Sequence, residues 1–212
     1  MPDTGWLLGG AAASSGSGVA WSTPEAVLVA NDASYAQASL SLFSQTSAAL
    51  QVTGFDFSAI PDGVEITGIE ARIRRYLGSS GAVADGNIRL VVGGTATGQN
   101  KAAAGGWPAS AADATYGGAA DLWTLTPTVA QVKAANFGIA IVASRDSGSP
   151  AARVTTVWMR VHYATAGFNR LSTRHAGTWN TPQPFARHAG VWKPVNGVWV
   201  RQAGSWVKLL ES

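Results

Sequence analysis

The residue types that most often carry chemistry are sparse in this chain. It has no cysteine and only three histidines. Thiolate nucleophiles, thiolate zinc sites and disulfide staples are therefore excluded. His175 and His188 fall in copies of a repeated hexapeptide whose third copy carries Gln202 at that place. A histidine that exchanges for glutamine suits a structural position better than a catalytic one. His162 stands in a strand-like run beside Arg160 and Trp158, where a surface or interface role is expected. No Gly-x-Ser-x-Gly elbow is present to hold a serine nucleophile for a Ser-His-Asp site. No histidine pair has ligand spacing, the aspartates lie outside any EF-hand loop, and no P-loop or dinucleotide fingerprint occurs. Strands could bring two of the 12 carboxylates together for glycoside cleavage, but no local context marks a pair. The expected catalytic, cofactor and metal sets are all empty, and the chain reads as a non-enzyme.

Tryptophan is where spacing becomes specific. Four of the nine tryptophans lie at positions 179, 192, 199 and 206, each two residues after a glycine: Gly177, Gly190, Gly197 and Gly204. Three copies read Arg174-His-Ala-Gly-Thr-Trp179, Arg187-His-Ala-Gly-Val-Trp192 and Arg201-Gln-Ala-Gly-Ser-Trp206. A glycine that permits a tight turn, followed by tryptophan on the outgoing strand, predicts a meander of very short hairpins. Units this small cannot close a core alone and need another surface to pack on. Trp179, Trp192, Trp199 and Trp206, with Gly190, Gly197, Gly204, Arg187 and Arg201, are the candidate assembly interface. The competing use of the same rings is sugar stacking, in which an indole face covers a pyranose. Regular seven-residue spacing favours packing over sugar binding.

These residues need a scaffold, and the chain divides into three segments. Residues 1–20 are Gly/Ala/Ser-rich around Gly9–Gly18 and read as a flexible connector, with Trp6, Leu7 and Leu8 as a small apolar anchor. Residues 21–165 read as an all-β body. Ile69, Ala71 and Ile73 alternate with Glu70, Arg72 and Arg74, and Val157, Met159 and Val161 with Trp158, Arg160 and His162, the period of a half-buried strand. Further strands are expected at 50–57, 88–92 and 137–143. Turns are expected at Pro61-Asp62-Gly63, at Gly78–Gly81, at Asp85-Gly86 and at Asp146–Pro150. One helix is expected after Thr126 as cap and Pro127 at the first helical position, ending before Asn136. Residues 166–212 are the tryptophan-repeat tail. The predicted fold is an antiparallel, jelly-roll-like β-sandwich with one short helix, followed by a small β-meander.

Charge sharpens that division. Charged residues make up 13% of the 212, about half the ~25% of an average soluble domain. Residues 1–165 carry 9 Lys/Arg against 11 Asp/Glu, whereas residues 166–212 carry 6 against 1. Six cations over such a length are too dilute for a nucleic-acid arm, and no nucleic-acid partner is expected. No apolar run reaches the ~18 residues of a membrane span, and no basic-then-apolar leader opens the chain. Membrane insertion and secretion by a leader are therefore not expected.

The segments Trp21-Ser-Thr-Pro24, Asn31-Asp32-Ala-Ser-Tyr35-Ala36, Thr53-Gly-Phe55-Asp-Phe57, Ile60-Pro61-Asp-Gly63, Ile66-Thr-Gly-Ile69 and Asn100-Lys-Ala102 resemble a β-sandwich domain of tailed-bacteriophage structural proteins. Trp107, Tyr116-Gly-Gly118, Asp121-Leu-Trp123, Pro127 and Asn136-Phe-Gly138 follow in the same order, so the resemblance covers about residues 18–163. Trp199-Val-Arg201 and Trp206-Val-Lys208 are similar to the Gly-x-Trp ends of phage minor tail and virion proteins. The resemblance implies a structural protein on the exterior of the virion, at the tail tip, fibre or capsid, made in the host cytoplasm. Its implied partners are other virion proteins, further copies of itself (a trimer favoured) and a host-surface glycan. A carbohydrate-binding module is the main alternative and a cell-wall hydrolase a weaker one.

Overall fold

A computed structural model of the chain describes residues 2–30, 33–43 and 45–164 with their side chains. For Thr165 and six short strands between residues 173 and 208 it describes the backbone. By its internal contacts the chain forms two compact units, Met1–Thr165 and Ala166–Ser212.

The first unit is an all-β sandwich built from two antiparallel sheets. One sheet runs β1 (Leu7–Leu8), β10 (Ala151–Thr165), β5 (Val64–Leu77), β8 (Ala112–Gly118), with β3 (Ala36–Ser39) also paired to β10. The other runs β2 (Ala11–Ser15), β4 (Ala49–Thr53), β9 (Gly138–Gly148), β6 (Gly81–Val92), β7 (Thr95–Thr97). The strand period predicted from sequence sets the core. Ile69, Ala71 and Ile73 on β5 and Val157, Met159 and Val161 on β10 are fully buried, as are Leu50, Val52, Ile88, Leu90, Ile139 and Ile141 of the other sheet. Trp123, Phe57 and Phe137 are the bulkiest of the fully buried side chains.

Three local expectations are corrected. Residues 1–20 are not a connector: β1 pairs with β10 and β2 with β4, one strand in each sheet. The small residues there serve close packing. A Cβ on Gly9 would lie 2.4 Å from Val52 Cγ1, and one on Gly10 2.7 Å from the Gly54 carbonyl. Asp85-Gly86 is not a turn but a bulge inside β6, where the register to β9 shifts between Asp85 and Asn87. The extra residue keeps Val83 and Asp85 facing inward together with Ile88 and Leu90. The helix, α1 (Val129–Lys133), is capped by Thr128 rather than Thr126. Thr128 accepts from the Gln131 backbone N–H and Gln131 Oε1 accepts from the Thr128 N–H, a reciprocal capping box that leaves Pro127 outside the helix.

Among the described residues of the second unit are three two-stranded hairpins: β11 (Thr173–His175) with β12 (Thr178–Asn180), β13 (Phe185–His188) with β14 (Val191–Pro194), and β15 (Trp199–Gln202) with β16 (Ser205–Lys208). Trp199 opens the first strand of the third hairpin, opposite Lys208, and Trp206 lies on its second strand, opposite Arg201. Trp199 and Trp206 therefore share one hairpin.

Candidate interaction surface

The strand period that buries Ile69, Ala71 and Ile73 turns Glu70, Arg72 and Arg74 to the outer face of the first sheet. Pairing of β5 with β10 sets Trp158 beside Arg72 and Arg160 beside Glu70, while β8 contributes Asp113 beside Arg74. The N-terminal strap then closes over one edge. Thr4 donates its N–H to the Val161 carbonyl, Tyr163 donates to Pro2, and Val161 donates to Thr4 Oγ1. That strap delivers Trp6 to the same face.

The Arg72 guanidinium lies 4.3 Å from the Trp158 ring centre and 4.6 Å from that of Trp6. Arg160 also sits 4.6 Å from the Trp6 ring. All three are cation–π distances, and each contact is worth about 0.5–1 kcal/mol on a partly exposed surface. Arg160 Nη2 donates to Glu70 Oε2 at 2.9 Å, and His162 Nε2 lies 2.7 Å from Glu70 Oε1. Burial works to raise the Glu70 pKa, but the bonds from Arg160 and His162 outweigh it and hold the carboxyl below its usual range. Asp113 Oδ1 accepts from Arg74 Nη1 at 3.0 Å, and its other oxygen lies 3.9 Å from Arg72 Nε. Farther along the same face Arg153 stacks 4.2 Å over Tyr35 and donates to Gln37 Oε1.

A second polar cluster lies between the sheets. The bulge of β6 aims Asp85 inward, and its side chain is fully buried. Oδ1 accepts from Arg75 Nη1 at 2.7 Å and from Trp107 Nε1 at 2.8 Å. Oδ2 accepts from the Tyr116 hydroxyl at 2.8 Å and from the Ala103 N–H at 3.0 Å. Burial and the Asp85 charge push the Tyr116 phenol well above its ordinary pKa. Four donors on one carboxylate clamp β5, β6, β8 and the 99–108 loop together, which is a structural arrangement.

The structure brings the predicted tail residues together in backbone register. Arg187 stands directly opposite Trp192 and Arg201 opposite Trp206, and Arg174 faces Trp179 in the same way. Gly190, Gly197 and Gly204 lie outside the described residues. His162, read from sequence as a surface or interface residue, is buried against Glu70. Sequence reasoning missed Trp6, Arg72 and Arg160 as a group. The signal was present in the alternation of Arg72 and Arg74 with Trp158 and Arg160, but the strap that supplies Trp6 was not legible. Among the described residues no group of three His, Asp or Glu side chains is placed to hold a metal ion. No protein family, no curated protein and no solved structure matches the chain.

Proposed function

We propose that this chain is a non-enzymatic structural component of a tailed-phage virion, placed on the particle exterior and assembled as a homo-oligomer, a trimer by preference. The sandwich is its packing module and the tail its attachment element. The observation that carries the reading is the threefold recurrence of one hairpin, with arginine opposite tryptophan at the same register each time. A two-stranded hairpin is marginal alone, so repeating it is useful where it packs against other surfaces. The order of sandwich signposts over residues 18–163 supports the phage setting. The two body clusters support a non-enzyme, because Asp85 and Glu70 have both oxygens bonded to neighbouring side chains or backbone.

The test is to replace Trp192, Trp199 and Trp206 together by alanine and measure particle incorporation and host-cell adsorption separately. Loss of incorporation is expected, since truncating a buried tryptophan costs about 3–5 kcal/mol. Normal incorporation with lost adsorption would replace this reading with sugar binding by the same rings. Antibody labelling of intact particles locates the protein directly, and particles that never carry it would refute the virion assignment.

A further inference from the structure

The outer face of the first sheet carries more hydrogen-bond donors than its own carboxylates can occupy. Glu70 spends both oxygens on Arg160 and His162, and Asp113 spends one on Arg74. Arg72 is left with Asp113 Oδ2 at 3.9 Å, beyond hydrogen-bond range. Arg72 Nε and Arg160 Nε are both buried without a hydrogen-bond partner. Two guanidiniums thus lie 4.6 Å from one indole; their Nε atoms are closed to a ligand, but each side chain keeps about a quarter of its surface open, 28% and 27%, so a partner meets the terminal nitrogens. Stacking on Trp6 and Trp158 holds the Arg72 plane in place before anything binds, so little rotamer entropy remains to be lost.

We propose that Arg72 and Arg160, held on Trp6 and Trp158, form a docking site for carboxylates of an acidic polypeptide segment. The chemistry favours this occupant over two others. With its Nε buried, Arg72 offers acceptors the terminal Nη1/Nη2 edge of its guanidinium, and a planar carboxylate meets that edge with two parallel bonds. The guanidiniums occupy ring faces of Trp6 and Trp158, which disfavours using those rings as a pyranose platform. Nucleic acid would call for a longer cationic track, and Arg74 and Arg153 on this face are already bonded to Asp113 and Gln37. The site stands on the body alone and does not depend on the virion reading.

The test uses the full-length protein at low ionic strength with an N-acetylated hexaglutamate peptide as probe. The indole N–H signals of Trp6 and Trp158, assigned with Trp6→Phe and Trp158→Phe, are followed by NMR during titration, so binding at the basic tail is read separately. Saturable shifts at both indoles are expected. Arg72→Gln should weaken that affinity about tenfold, whereas Arg145→Gln should leave it unchanged. Arg72→Lys keeps the charge but loses the fork, and should weaken binding by about threefold or more. Shifts confined to other tryptophans, full affinity in both Arg72 variants, or tighter binding of polysialic acid or oligothymidylate at these indoles would overturn the proposal. Should Arg72→Gln unfold, Arg72→Lys and the probe comparison decide alone.

Discussion

Asp85 and Glu70 are both carboxylates bonded to an arginine, yet they belong to different sheets, one facing between them and one facing outward, and do different work. Asp85 lies between the sheets with no exposed side-chain surface and four donors on its two oxygens. Glu70 lies on the outer face with Arg160 and His162, beside Arg72, which faces Asp113 at 3.9 Å without a hydrogen bond. Desolvation explains the contrast. A carboxylate removed from water is tolerated when its lone pairs find donors, so both oxygens of Asp85 are matched, although Arg75 Nε is buried without a partner. The outer face pays a smaller solvation penalty, because Arg72 and Arg160 keep about a quarter of their side chains exposed against 8% for Arg75. What separates the two is the carboxylate and its reach: Asp85 is closed off by four donors, whereas Arg72 on the outer face has no acceptor within hydrogen-bond range and keeps part of its side chain exposed.

The largest expected effect comes from breaking the inner cluster. Asp85→Ala leaves Arg75 as an uncompensated buried cation and strips Trp107 and Tyr116 of their acceptor. We expect a loss of about 3–5 kcal/mol in chemical denaturation. A loss below ~1 kcal/mol would show that water reaches the site and that Asp85 is no more committed than Glu70. Tyr116→Phe dissects the clamp more gently by removing one donor and leaving the charge pair intact. Its cost should be about 1.5–3 kcal/mol, the range for a hydrogen bond to a charged group. An unchanged denaturation midpoint would mean that the remaining three donors suffice for Asp85.

How far the sequence exposed these two clusters follows from what period-two patterning can carry. It gave the all-β class, the inner residues of β5 and β10, and the outward positions of Arg72, Trp158 and Arg160, because alternation is a local property. It could not show that the bulge at Gly86 keeps Asp85 inward, because a one-residue insertion reverses the face and resembles a turn in composition. It misread Gly9 and Gly10 for a related reason. Glycine used for close backbone approach, against Val52 and Gly54, has the same composition as glycine used for freedom. Trp6 was therefore detached from its real neighbours, and the outer site lost one of its rings. The tail repeat was legible as a repeat, but pairing Trp199 with Lys208 needed the strand register.

The smallest expected effect concerns Glu70, and its pH dependence separates the two clusters most cleanly. Arg160 and His162 hold the folded-state pKa of Glu70 below its usual value. A carboxyl whose pKa is depressed on folding binds fewer protons in the folded state than in the unfolded one. Its stabilising contribution is then fully present above the unfolded pKa, about 4.3, and is lost as pH falls through the folded value. Glu70→Gln should cost about 1 kcal/mol at pH 7, since Arg160 is partly exposed and the surrounding water screens the pair. The difference between wild type and variant should narrow steadily below pH ~4.3, as the wild-type carboxylate is protonated. Denaturation midpoints measured from pH 7 down to pH 3 provide the check. A gap that stays constant over that range would mean that Glu70 contributes shape rather than charge. The outer face would then hold its arginines by stacking on Trp6 and Trp158 alone.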